Sequence, residues 1–554
     1  MKFIFKLLGV TLVIGLVLCG CGLSPTEPTN GSVNITHPTE TGNVVSPTLP
    51  MEPEPVISIQ YLPENVENPD NLPVLKWVVL TETFYGGGNR TWSETPVHEL
   101  NKMLSDRDMP FRIQFILFTM DKWIERTEWL SRPETQEALA EADLIYGVMS
   151  SDELQNYLHP ITEYAAGTME PSLQNAVCHP LDWNLGKVGT EVYGIRTLPA
   201  LVYSRGWSVK ASVLESTALT EEDFSLDFQE MDEVFAKIYE KNGKKSFLYI
   251  KDTNYSSVAG NTEKEPNSYF PGGSFDLVPQ TYQMIGSCFA IDHSAGSPLI
   301  VNLTQTDTLG SIREALLRYR AAGYVTSDYD NACVYYGQLM GEQPYTDITG
   351  KLCIPVTQSV LSYTAASGYF SGVAAVSQNK AAALQLLHLI AEDEAFRMQL
   401  FYGKENSEYR IENGYYTLIR QTDGSDYSLD FLSPLSYFCG LTSEDSFRSP
   451  GTINDYFVEF EGMTKLQSYQ TNLDSCSIHY YPISFDYSDF TETVNKLEAT
   501  MIKYFPYFNK TDTTAEEKYA LLMREMKDAG GEKLLAELQL QLDAWIAENP
   551  GWVN

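Results

Sequence analysis

The sequence predicts an α/β fold, a largely parallel sheet wrapped by helices. Two observations predict it. Apolar runs of strand length alternate with helix-period segments between residues 73 and 148. The 554 residues are 43% hydrophobic and 12% aromatic, enough to fill a large core. Residues 73–80 (PVLKWVVL) read as a buried strand, with order beginning near Leu72, and residues 81–95 (TETFYGGGNRTWSET) as the loop that follows. Residues 96–105 carry helical apolar spacing through Val97, Leu100, Met103 and Leu104. Residues 112–118 give a second strand, 120–142 a helical stretch, and 142–148 (ADLIYGV) a third strand. Ligands on such sheets sit beyond the carboxyl ends of the strands, so loops 81–95 and 149–153 are candidate site walls.

Further along, residues 192–207 (VYGIRTLPALVYSRGW) read as extended chain passing from one lobe to another. Residues 228–242, 309–322 and 381–394 read as helices, and 515–547 is helix-rich with an interruption at Gly530-Gly531. No internal repeat is present.

The N-terminal segment has a different character. Lys2 and Lys6 precede an apolar run of about twelve residues, the layout of a secretory signal and short of the roughly 20 needed to span a bilayer. It ends in Leu18-Cys19-Gly20-Cys21, which resembles the bacterial lipobox, with Gly20 as the small residue before the cut and Cys21 as the lipid acceptor. Residues 1–20 are then a signal peptide. Residues 21–56, rich in Ser, Thr, Pro and Asn with no apolar period, read as a disordered tether. Localisation follows as the extracellular face of the cell membrane, held by lipid.

Net charge is −35, a surface that repels phosphate backbones and excludes nucleic acid as a partner. Beyond Cys19 and Cys21, the chain holds Cys178, Cys288, Cys333, Cys353, Cys439 and Cys476. They are widely spaced, and both disulfides and buried thiols are open to them.

No sequence motif supplies a catalytic centre. Gly86-Gly87-Gly88 lacks the Gly-Lys-Ser/Thr ending of a phosphate loop, and its flanks, Tyr85 and Trp92, suit sugar stacking better. His98-Glu99 lacks the second His of a zinc motif, Lys102 standing there instead. Asp423, Asp426 and Asp430 lack the closing Glu of a calcium loop. No metal or cofactor is expected.

Four segments resemble the extracellular solute-binding lipoproteins of carbohydrate-type ABC importers, in the maltose-binding-like class and its large Gram-positive lipoprotein subgroup. They are residues 142–164, 191–207 (where Arg196 replaces a commoner proline), 372–418 (GVAAVSQNK…YGKENSEYRIENGYYTL) and the tail 534–549 (LLAELQLQLDAWIAEN). The resemblance implies a two-lobed, type II periplasmic-binding-protein-like fold with hinge crossings near Tyr203, within 359–368 and within 438–449. Lobe 1 is then 57–204 with 365–440, and lobe 2 is 205–364 with 441–554. It implies a monomer that captures a carbohydrate, an oligosaccharide, by hinge closure and delivers it to ABC importer permease subunits, with no covalent chemistry.

Ligand contacts are assigned to loop aromatics and polar groups: Tyr85, Asn89 and Trp92 after the first strand, and Ser150, Ser151 and Asp152 after the third. Trp183, Tyr193, Arg196 and Trp207 stand near the first crossing, Tyr363 and Tyr369 near the return. Two rival readings stay open: a surface glycoside hydrolase or lyase built on a carboxylate pair, and a binding subunit serving a sensor or adhesion system. Peptides and polyamines compete with sugars as ligands.

Overall fold

The computed structural model describes residues 57–82, 94–120, 128–196, 201–250, 278–362, 367–418 and 460–549, apart from short gaps inside these ranges. The signal, Cys21 and the tether lie outside them.

The chain opens with β1 (Ile57–Leu62), β2 (Val74–Glu82), α1 (Thr95–Asp106) and β3 (Arg112–Met120). Next come α2 (Glu128–Ser131), α3 (Pro133–Leu139), β4 (Leu144–Ser150), α4 (Ser151–Tyr157) and α5 (Thr162–Ala165). A 3-10 turn (Pro180–Gly186) leads to the hairpin β5 (Lys187–Val188) and β6 (Glu191–Val192), then β7 (Ile195–Arg196). The long β8 (Leu201–Lys210) is followed by α6 (Ala211–Thr217), α7 (Asp232–Lys241) and β9 (Leu248–Tyr249). Strands β10 (Tyr282–Met284), β11 (Phe289–Asp292) and β12 (Leu299–Asn302) precede α8 (Asp307–Ala321). Then come β13 (Val325–Thr326), β14 (Val334–Met340), β15 (Tyr345–Thr346), β16 (Lys351–Pro355), β17 (Val360–Ser362) and β18 (Ser367–Val373). The chain continues with α9 (Lys380–Glu392), α10 (Glu394–Tyr402), the hairpin β19 (Tyr409–Glu412) and β20 (Tyr415–Leu418), and β21 (Ile478–His479) beyond the helix Lys465–Ser475. Helices Thr491–Tyr504, Thr513–Asp528 and Gly531–Glu548 end it.

Two large sheets organise these elements. The first runs β1-β3-β2-β4-β18-β7, with β2, β3 and β4 mutually parallel and β1 and β18 antiparallel to their neighbours. Both faces are buried, which is why its strands read as apolar runs. Leu75, Trp77 and Val79 of β2 pack with α1, α9 and α10, while Val78 and Leu80 pack with α2, α3 and α4 on the other face. α9 alone buries Leu384, Leu386, Leu387 and Ile390, each contributing about 1.5–3 kcal/mol. Asn101 of α1 satisfies the backbone of Ile113 at both N–H (2.7 Å) and C=O (2.9 Å), sealing a stretch of β3 that β1 does not reach.

The second sheet runs β13-β9-β14-β8-β16-β15, with β17 continuing the β16 edge of β8 and β21 pairing with β17. Its core is aromatic: Trp207 stacks on Phe228 at 5.8 Å and meets Phe235 edge-on at 5.4 Å. A separate core joins the β10-β11-β12 sheet to the last three helices through Ile291, Leu497, Met501, Leu522, Leu534 and Leu538.

Three expectations are corrected. Order begins by Ile57 rather than near Leu72, because residues 57–62 pair with β3 as an edge strand and bury Leu62. The described part of stretch 120–142 is two short helices, since Pro133 lacks an N–H and starts a new helix behind an extended Arg132 (φ −75°, ψ 140°). The helix expected over 228–242 is a 3-10 turn, Phe228–Glu230, followed by α7. Among the described residues Cys178, Cys288, Cys333, Cys353 and Cys476 form no disulfide; Cys439 lies outside them.

Candidate functional site

Strands β2, β3 and β4 end on one edge of the first sheet, at Glu82, Met120 and Ser150. Antiparallel β18 begins there, with Ser367 opposite Ser150 and Tyr369 opposite Val148. β7 runs toward the same edge and pairs Arg196 with Phe370. From Arg196 the chain passes to Leu201, the start of β8; from Ser362, paired with Leu201, it returns to Ser367. Both passages between the sheets therefore leave from the carboxyl edge where β2, β3 and β4 also end. The expected passage over 438–449 lies outside the described residues.

This topology gathers Ser150, Ser151, Asp152, Tyr369 and Arg196 at one corner. β4 runs into α4 without a loop, so Ser150–Asp152 is a strand-to-helix junction. The Arg196 guanidinium lies 6.0 Å from the Phe370 ring centroid. Burial pulls its pKa down to about 10, so it remains a cation at neutral pH. Tyr193 is half-buried and packs beside the α4 face of the sheet. Tyr85, Asn89, Trp92 and Tyr363 lie outside the described residues.

Two assignments are corrected by burial. Trp207 is wholly buried in the second sheet's core, its indole N–H donating to the Leu226 carbonyl at 3.0 Å. Trp183 packs into the first lobe's core. Neither ring face is presented to a ligand.

The second sheet offers residues that the sequence reading passed over. Alternation places Tyr203 and Arg205 on the face of β8 that carries Trp207 and Val209, nearer the passage between sheets, and both are half-buried. The Tyr480 phenol, pushed up by burial against the opposing charge of Arg205, donates to the Tyr282 carbonyl at 3.0 Å beside β17. The signal was available in the period-two pattern Tyr203, Arg205, Trp207, Val209. The 3-10 turn Pro180–Gly186 and the chain before it meet the helix Lys465–Ser475: Tyr469 donates to Asp182 at 2.5 Å, and Gln470 to the Cys178 carbonyl at 3.0 Å. Among the described residues no group of three or more His, Cys, Asp or Glu is placed to hold a metal ion, and no helix is long and apolar enough to cross a membrane.

A search of curated protein sequences finds no match. Residues 483–547 match the family described as "Domain of unknown function (DUF3502)". Among solved structures, the N-glycan transport solute binding protein NgtS from Streptococcus pneumoniae is similar at a TM-score of 0.55 and 14% identity, over 86% of this chain and 99% of that one. An HMO-binding, ABC-transporter-associated solute binding protein from Bifidobacterium longum infantis matches at a TM-score of 0.46 and 14% identity, over 86% and 99%. The likeness to NgtS extends over nearly its whole length, and it shows that this chain has the two-lobed α/β, type II binding-protein fold.

Proposed function

We propose that this protein is a lipid-anchored extracellular solute-binding protein that captures an oligosaccharide by hinge closure and delivers it to an ABC importer. The observation that carries the reading is the gathering of both passages between sheets at the carboxyl edge where β2, β3 and β4 end. A ligand held there touches both lobes only when they close, so binding favours the closed form by the contacts that the second lobe adds. The loop with Tyr85, Asn89 and Trp92 supplies ring faces and an amide of the kind that holds pyranose rings and hydroxyls. Ser150, Ser151, Asp152, Arg196 and Tyr369 complete the first lobe's share, with Tyr363 at the return passage. No bond is made or broken. The lipobox-like Cys21 supports the anchor and its extracellular location.

A thermal-shift screen of the full chain against oligosaccharides, peptides and polyamines tests this. A true ligand at 100 times its Kd adds about 2.7 kcal/mol of stability. Stabilisation by peptides or polyamines alone sinks the sugar reading. Consumption of the glycan during the assay makes the protein a glycan-cleaving enzyme instead.

A further inference from the structure

The pairing along β8 is interrupted at one place. β16 pairs as far as Pro355 opposite Gly206, and β17 resumes with Val360 opposite Tyr203. Four residues, 356–359, therefore stand opposite two, Ser204 and Arg205, an insertion of the bulge kind that re-aims a side chain. It grips the Arg205 backbone three times. The Arg205 N–H donates to Thr357 Oγ1 at 2.8 Å, and its carbonyl accepts from the N–H groups of Val356 at 2.8 Å and Thr357 at 3.1 Å. The Arg205 side chain is half-buried. It shares its face of β8 with Tyr203 and, across β17, with Tyr480, whose N–H donates to the Leu361 carbonyl. Beyond Arg205 that face is filled, because Trp207 and Tyr336 meet there at 4.6 Å. The Tyr480 ring is held by His293, stacked at 5.5 Å, and by the bond from its phenol to the Tyr282 carbonyl. The charge of Arg205 opposes the rise that burial gives to two phenols, Tyr336 on β14 and Tyr480 beyond β17, so the guanidinium lies over β8 between them. Asp227 acts on Tyr336 more weakly and in the other direction.

From this placement we infer that Arg205 is a specificity residue of the second lobe, and that the captured oligosaccharide carries a carboxylate, as a uronic or sialic acid unit does. The inference rests on the oligosaccharide-binding reading above. A guanidinium presents a planar fork of N–H donors that matches the two oxygens of a carboxylate, together with a charge that a neutral sugar does not answer. Tyr203 and Tyr480 flank it with ring surface and phenols, which suit the apolar face and the hydroxyls of the same sugar unit. The position fits capture on closure. Arg205 stands about 13 Å along β8 from Leu201, where the passage from the first lobe ends, within reach of a ligand of several sugar units seated at the passages. The net charge of −35 is no bar to such a ligand. Exposed charges more than about 10 Å away are screened at 0.1 M salt, while a half-buried cation at contact is screened much less.

The test measures by calorimetry the affinity of the full chain for two acidic oligosaccharides, tri-galacturonate and sialyllactose, each beside its carboxyl methyl ester. Neutral oligosaccharides form a third arm. The expected result is that at least one acid binds about 10- to 100-fold more tightly than its ester, as one charge-assisted contact provides. In Arg205→Gln that ratio should fall to about one, and in Arg205→Lys it should be partly kept, since Lys retains the charge but not the fork. A purely structural role for Arg205 would weaken acid and ester alike and leave the ratio unchanged, which overturns the inference. Neutral oligosaccharides that bind while the acids bind no better than their esters overturn it as well, and leave the oligosaccharide reading standing. Binding in none of the three arms sinks that reading and the inference with it. The acid-to-ester ratio of the unaltered chain is decisive even where neither variant folds.

Discussion

The two sheets solve the same packing problem with different materials. The first is a set of long strands buried on both faces, by α2, α3 and α4 from between or just after its strands on one side and by α1 with the distant α9 and α10 on the other. The second hangs on one ten-residue strand, β8, whose partners are short and come from residues 248–362. Its core relies on a few large rings, Trp207, Phe228, Phe235 and Tyr319, in mutual contact. Both cores bury large rings, but the first spreads its burial over two broad clusters while the second concentrates it around Trp207 and one strand, so single changes there are expected to cost more.

That contrast is open to direct attack. The severest expected effect is at Gly206, where an added Cβ would stand 2.0 Å from the Ile354 carbonyl oxygen. Gly206→Val should cost more than about 4 kcal/mol and abolish the second lobe's thermal transition. Trp207→Ala should cost about 3–5 kcal/mol. Trp207→Phe should keep most of the stability and leave ligand affinity unchanged; a large affinity loss in a folded Trp207→Phe protein would return that ring to the binding site.

Acid should also weaken the second half first. His293 lies 5.5 Å from the Tyr480 ring and 5.2 Å from the Tyr481 ring. Burial pulls its pKa down to about 4, against the opposing charge of Asp292. The unfolded chain protonates near pH 6.5 while the folded one does not, so stability is lost as pH falls from about 6.5 toward 4. By pH 5 the loss from this group is about 2 kcal/mol, and a pH series of urea melts should show a flatter profile for His293→Gln. Tyr469→Phe removes the phenol that reaches Asp182 from the helix Lys465–Ser475; a loss of about 1–2 kcal/mol, with calorimetric splitting of one transition into two, would mark that contact as a coupling point between lobes. The smallest effect belongs to Leu540, 64% exposed, where Gln should change stability by no more than about 0.5 kcal/mol.

The same contrast explains what the sequence revealed. Strands β2, β3 and β4 and helix α1 were legible because doubly buried strands read as apolar runs and α1 carries a clean helical stripe. β9, β13 and β15 have two residues each, too few for any period to register. β1 was missed because its three alternating apolar residues adjoin a proline-rich stretch. Trp207 was misassigned because its neighbours Tyr203 and Arg205 are polar-tipped, and only the packing of distant Phe228 and Phe235 reveals that the ring points inward. Ser150–Asp152 and Tyr369 were proposed separately, the first from the end of the third strand and the second from the return crossing; that they share one edge is visible only in the β4–β18 register.

The passages at 196–201 and 362–367 start and finish in hydrogen-bonded strand pairs: β7 lies beside β18 on one side, and β8 beside β17 on the other. Neither can extend beyond about 17 Å. Within these two passages, rotation of one sheet against the other falls on a handful of backbone dihedrals held between two clamped ends. Little chain has to be ordered when the lobes move, so the entropy of motion is small on the scale of about 1–2 kcal/mol per ordered residue. If the protein works by hinge closure as proposed, the free-energy difference between its open and closed forms comes from the ligand and from direct contacts such as Tyr469 with Asp182, rather than from ordering chain.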